Sequence, residues 1–288
     1  MGMARTLEIG AGSAKNPAPD ALAQLLAPGR PLVMGILNIT PDSFSDGGQF
    51  FEPEKAIAHA REMAARGADI IDIGAESTRP YGGAVAVSAD DEKARLIPVL
   101  PAVTKLGVAV SIDTIKASIA EWALDQGAAI VNDVWGLQRD SNMAPLVAKR
   151  GVPVIVMHNR ETADAAIDIV ADVIDFFSRS LEIAGGAGIA RRNIVLDPGI
   201  GFGKTPEQSI TCIARLAEFK RFGLPLLVGA SRKRFISTVI PSPPDDRIGG
   251  SISAHLLAVE KGAAIIRAHD VAETVQALRV AAAIEAAR

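Results

Sequence analysis

The sequence predicts a single-domain α/β protein of the (β/α)8, or TIM-barrel, class, and three observations predict it. Eight short apolar runs alternate strictly with stretches of helical pattern. The runs are continuously apolar, as strands of a parallel sheet buried on both faces must be. A polar residue closes every run, and in a barrel the C-terminal strand ends all open on one mouth. Residues 31–288 also approach the roughly 250 typical of such a barrel. The rival is an open doubly wound sheet, but the first strand-to-helix turn lacks its glycine fingerprint.

Residues 1–30 are rich in Ala, Gly and Pro without periodicity, and read as an N-terminal tail with one helical turn near 21–26. The expected strands are 32–37, 69–73, 108–112, 129–131, 153–157, 194–196, 225–228 and 264–266. The helices between and after them are expected at 53–66, 90–106, 116–126, 142–150, 162–184, 206–221, 247–261 and 270–286. Gly67, Gly107, Gly127, Gly151, Gly223 and Gly262 each end a helix before a strand. The seventh crossover is longer and interrupted by Pro241-Ser242-Pro243-Pro244.

The strand ends carry Asn38, Asp72 with Glu76, Asp113, Asn132 with Asp133, His158, Asp197, Ser231 with Lys233, and Arg267 with His269. One such residue would be a turn cap. Eight converging on a mouth read as a small-molecule site. Asp113, Asn132 and Asp197 offer acceptors and one amide donor, which suits a flat, nitrogen-rich heterocycle with adjacent N–H groups. Arg267 and His269 precede the last helix, the usual barrel position for a phosphate; a surface pair of Arg267 with Asp270 is the weaker reading. Long loops follow strands 1 and 2, at 38–50, with Phe44, Phe50 and Phe51, and at 76–84; they read as binding or lid loops.

Composition narrows the classes. With 288 residues, 49% hydrophobic, 22% charged and a net charge of -3, the chain has ordinary globular composition and no basic stripe for nucleic acid. No apolar run is long enough to span a membrane, and no signal peptide is evident. Cys212 is the one cysteine and reads as an inert core thiol in a reducing cytoplasm. The four histidines lack metal-ligand spacing. GIGFGKT at 199–205 fails the phosphate-loop pattern, whose first glycine would fall at Pro198. Lys233 reads as a plain cationic donor and not a Schiff-base lysine.

Seven strings, in order, resemble the dihydropteroate synthase family: GILNITPDSFSDGG (35–48), IDIGAESTRP (71–80), SIDT (111–114), IVNDV (130–134), LDPGIGFGK (196–204), GASRK (229–233) and RAHDV (267–271). The resemblance spans about residues 31–287. Departures are Ile115, where Tyr is common, and Asn159-Arg160-Glu161 after His158.

The resemblance implies condensation of 6-hydroxymethyl-7,8-dihydropterin diphosphate with 4-aminobenzoate, giving 7,8-dihydropteroate and diphosphate. Carried over by motif, Asp113, Asn132, Asp197 and Lys233 would hold the pterin, with Arg267 stacked on its ring. Asn38, Thr78, Arg79, Arg267 and His269 would hold the diphosphate, with Mg2+ at Asn38. Thr78, Pro80, Phe202 and Ser231 would line the aminobenzoate pocket. Catalysis would rest on Asn38, Asp113, Lys233, Arg267 and His269, through an SN1-like departure of diphosphate. The resemblance also implies a cytoplasmic homodimer and a sulfonamide target. A pterin-dependent methyltransferase would lack the Thr78-Arg79 and Ser231-Arg232-Lys233 set. A non-catalytic pterin-binding paralogue would not need every motif.

Overall fold

A computed structural model describes residues 20–39, 53–76 and 87–287. The eight strands are β1 (Leu32–Asn38), β2 (Ile70–Gly74), β3 (Ala109–Asp113), β4 (Ile130–Asp133), β5 (Val154–Met157), β6 (Ile194–Asp197), β7 (Leu226–Val228) and β8 (Ala263–Ala268). Each pairs in parallel with the next, and β8 returns to β1 to close the barrel. The predicted (β/α)8 class is thus the observed one.

The continuous apolar runs hide a period of two. Leu32, Met34, Ile70, Ile130, Ile155, Val195, Leu227 and Ile265 fill the barrel interior as one cluster. Val33, Leu37, Ile71, Ile73, Val131, Val156, Leu196 and Ile266 face outward into the layer beneath the helices. Successive side chains on a strand point to opposite faces. That parity carries inward residues up each strand from an apolar floor to a polar mouth.

The outer layer begins with α2 (Pro53–Ala65) and includes α5 (Ala117–Asp125), α6 (Met143–Arg150) and α11 (Val271–Glu285). All six helix-ending glycines have positive φ, as the left-handed turn back to a strand requires.

Three helices differ from expectation. The stretch 90–106 is two helices, α3 (Ala89–Leu96) and α4 (Leu100–Val103), because Pro98 and Pro101 lack the N–H that would continue the ladder. The helix expected from 162 begins only at α7 (Ile169–Ala187). There the Asp168 side chain accepts from the Val170 and Ala171 N–H groups and caps it. The helix from 206 ends at α8 (Pro206–Ala214) and tightens to a 3-10 helix at Leu216–Phe222. Arg215 binds both carboxylate oxygens of Glu218 three residues on, a spacing that suits the tighter coil. The long seventh crossover holds an extra short helix, α9 (Arg234–Val239), before α10 (Ile248–Glu260).

Residues 21–26 are more than a turn of a tail. Helix α1 (Ala21–Leu26) buries Leu22 to 2% exposure against the interior cluster, with Leu25 and Leu26 packed beside it. It closes the floor of the barrel opposite the mouth.

Candidate active site

The inward parity that builds the floor also brings Asn38, Asp72, Ser111, Asp113, Asn132, Asp197 and Arg267 to the interior or its rim. Arg267 is the hub. Its Nε donates to Asp72 Oδ2 at 2.6 Å and one terminal nitrogen donates to Asp113 Oδ2 at 2.9 Å. Asn132 Nδ2 donates to the same Asp72 oxygen at 3.0 Å. The second carboxylate oxygens of Asp72 and Asp113, the amide oxygen of Asn132 and Ser111 Oγ are buried and have no hydrogen-bond partner. Buried acceptors left unmatched are costly, so this cluster is built for donors that arrive from outside. Burial, and then the Asp72 charge, push the Asp113 carboxyl well up, against the pull of Arg267.

Asp197 ends β6 beside this cluster, 4% exposed. The Gly199 N–H donates to its Oδ1 at 2.8 Å, so it does cap the turn. Burial pushes its carboxyl up to about 6. Across the mouth, the His269 N–H donates to Ser231 Oγ at 3.1 Å, and the His269 ring places Nδ1 3.1 Å from the same oxygen. Ser231 accepts the first bond and has its own proton left for Nδ1, which puts the ring proton on Nε2. Burial, and then Arg267, hold His269 down to about 3, so the ring is neutral. Asp270 makes no side-chain cap on α11, because Arg232 draws both its oxygens away at 2.6 and 3.0 Å. Asp270 therefore belongs to Arg232, and Arg267 turns inward. Lys233 Nζ lies 4.1 Å from the centre of the Phe202 ring.

Such a mouth, acceptors in the depth and a neutral imidazole beside a helix start at the rim, has counterparts among known proteins. The family model for pterin binding enzymes matches residues 34–269. The dihydropteroate synthase of Bacillus subtilis is 48% identical over 241 residues, 83% of this chain and 84% of its own length. The chain belongs to the dihydropteroate synthase family. It is a transferase with that family's activity. The Clostridium difficile dihydropteroate synthase, crystallised with pteroic acid, superposes with a TM-score of 0.84 at 47% identity, covering 88% of this chain and 97% of its own. The Xanthomonas albilineans dihydropteroate synthase, crystallised with 4-aminobenzoic acid, gives 0.85 at 43% identity, with 89% and 94% covered.

Of the residues singled out from the family motifs, Asn38, Asp113, Asn132, Asp197, Phe202, Ser231, Lys233, Arg267 and His269 stand at the barrel mouth. Thr78, Arg79 and Pro80 lie outside the described residues, as do Phe44, Phe50 and Phe51. Three strand-end residues turn elsewhere. Asp133 has outward parity and accepts from the Trp135 and Leu137 N–H groups as a turn cap. Glu76 pairs with Lys116 at 2.6 Å and accepts from the Val87 N–H at 3.0 Å. His158 is fully buried between Lys204 and Asp172. Two residues were given no role from the sequence: Asp72, although it was counted among the strand ends, and Lys204. Asp72 shares the parity of Ile70, which could have placed it inside the barrel as the counter-ion of Arg267. Nothing in the sequence around Lys204 signals that this lysine is buried.

Proposed function

We propose that the mouth holds a pterin ring on the Arg267 cluster and condenses its methyl diphosphate with 4-aminobenzoate. The observation that carries this reading is the set of buried, unmatched acceptors on Asp113 and Asn132 beside Asp197. A pterin edge presents a ring N–H beside an amino group, and these donors satisfy the acceptors. Arg267, fixed edge-on by two carboxylates, keeps its guanidinium face for the ring. Lys233 adds a cationic donor at the same ring.

The diphosphate lies at the rim, where His269 Nε2–H, the start of α11 and the cations can hold it. Thr78 and Arg79 belong to this subsite by motif. Asn38 ends β1 and offers one amide oxygen, while among the described residues no group of three His, Cys, Asp or Glu could hold a metal. That donor set fits a Mg2+ carried on the diphosphate, since this ion keeps several waters and takes few protein ligands. Bound there, Mg2+ offsets the charge of the leaving group.

In the SN1-like route the C–O bond breaks and its electron pair leaves with diphosphate. The aniline lone pair then captures the methylene carbon, and the new ammonium loses its proton to solvent. No protein nucleophile is needed. Phe202 and Ser231 line the aminobenzoate side, to which Thr78 and Pro80 belong by motif, and exclusion of water protects the cation. By the same family reasoning the chain works as a homodimer in the cytoplasm. The test is to mix both substrates with Mg2+ and the protein and to measure diphosphate and 7,8-dihydropteroate released. Binding of the pterin without release of either would point to a non-catalytic paralogue.

A further inference from the structure

We propose that Lys204, through a buried relay with His158, Asp172 and Arg160, is a positioning residue for the aminobenzoate subsite. It latches the glycine-rich turn that carries Phe202. The inference rests on the reading that Phe202 lines that subsite.

Lys204 is 1% exposed and does not reach the mouth. Its ammonium has an acceptor for each N–H: Gly199 O at 2.9 Å, Phe202 O at 3.1 Å and His158 Nδ1 at 2.6 Å. Two of these are carbonyls at either end of the turn 199–202. The third leads away from it. His158 must accept at Nδ1, so its proton is on Nε2, which lies 2.9 Å from Asp172 Oδ2. Arg160 closes the relay on the other oxygen of Asp172 at 2.7 Å. The order is cation, neutral ring, anion, cation, and the anion answers the lysine charge across the ring.

The turn is packed closely against the segment that carries the relay. Gly199, Gly201 and Gly203 have φ of 64°, 80° and 53°. A Cβ on Gly199 would fall 2.0 Å from His158 O, and one on Gly203 would fall 2.4 Å from Arg160 Cβ. The turn therefore lies directly on the segment 158–160, which overlaps the stretch 159–161 that departs from the family pattern. Phe202 rides on this turn, with Lys233 against its ring. Asp113, Asn132 and Arg267 sit on strands instead and do not depend on it; Asp197 accepts from the Gly199 N–H of the turn but is itself held by β6.

The groups facing Lys204 are His158 and Arg160 after β5, Asp172 on α7, Asp197 on β6 and Cys212 on α8. Burial lowers Lys204 to about 8 and, with the Lys204 charge, lowers His158 to about 4. Burial raises Cys212 to about 11. Between pH 7 and 9.5 the group in this cluster that changes charge is the lysine. Once neutral, it keeps two N–H donors for three acceptors, so one of them faces its lone pair, and the latch weakens.

Steady-state kinetics of Lys204→Met should show a KM for aminobenzoate raised about tenfold, with kcat and the pterin diphosphate KM within about threefold. Arg160→Ala, at the exposed end of the relay, should raise the same KM a few-fold. In the unaltered protein that KM should climb above about pH 8, and the climb should vanish in Lys204→Met. Phe202→Ala is the control for the subsite. If it raises the aminobenzoate KM while the Lys204 and Arg160 variants do not, the latch is overturned and the subsite stands. If Phe202→Ala changes nothing, the subsite reading fails and the latch with it. Should Lys204→Met fail to fold, a flat pH profile from 7 to 9.5 in the unaltered protein, with no effect of Arg160→Ala, overturns the proposal.

Discussion

Replacing Asp197 by Asn should abolish pterin recognition while leaving the fold as stable as before or more so. The amide has a defined orientation, because the Gly199 N–H needs an acceptor at the Oδ1 position. The Asn oxygen will take that place, and its NH2 group will then stand where Oδ2 faced the ligand. Two donors then meet in a closed site. Losing a charge-assisted bond and stranding a donor should together cost about 2–5 kcal/mol. Pterin affinity should fall by roughly 30-fold to several thousand-fold. Stability should move the other way. The Asp197 carboxyl is raised from 3.8 to about 6 by burial, so the folded chain binds more protons than the unfolded chain between those values. Its stabilising contribution is present at low pH and lost as pH rises through 6. At neutral pH the buried charge costs about 3 kcal/mol, which Asn removes. Calorimetry with a pterin and with diphosphate separately, beside a thermal melt at pH 7.5, decides the matter. Diphosphate binding should persist, since Asn38 and His269 stand on other strands. A pterin affinity changed less than about threefold would make Asp197 a turn cap only, and the heterocycle assignment would have to be dropped.

Asp72→Asn should cost about 3–5 kcal/mol of stability in urea melts and most of the activity, because Arg267 would keep a buried charge with one carboxylate where it had two. Unchanged stability would show that the Arg267 cluster is not bound as described. His255 is buried with both ring nitrogens unpaired and is lowered to about 4 by burial. The unfolded chain therefore binds more protons between 6.5 and 4, and stability falls as pH drops through that window, by up to about 3 kcal/mol. His255→Leu should flatten the acid side of the melting profile without touching kinetics at neutral pH; an unaltered profile would refute it. Lys233 should form no adduct on borohydride treatment during turnover, since it serves as a charge against ring and ligand. A mass gain on that residue would move the chemistry to the Schiff-base class.

The sequence by itself determined the barrel. Eight runs of strand length, each followed by a helical stretch, permit few other closures, and parallel strands buried on both faces must be apolar throughout. It also determined which residues end at the mouth, because β-strand parity and strand length are local properties. Asn38, Asp113, Asn132, Asp197 and Arg267 were all legible in this way. Where the helices stop was legible at the six glycines that end them, whereas the break at Pro98 and Pro101 was read through as one helix.

Only the tertiary structure decided partners. Whether Asp270 pairs with Arg267 or Arg232 depends on residues 38 positions apart along the chain in one case and three in the other, and sequence distance favours the wrong one. Arg267 finds Asp72 because closing the barrel sets β8 beside β1, so that inward side chains of β8 and of β2, the next strand round, meet in the interior. Leu22 looks like part of a featureless tail until the barrel presents a floor for it to fill. Lys204 is the clearest case. A lysine is expected in water, and burying its charge is favourable only when two carbonyls and an imidazole from another strand are already waiting. The carbonyls belong to the turn that carries the lysine, but the imidazole is brought to it only by the pairing of β5 with β6, which no local pattern in the sequence records.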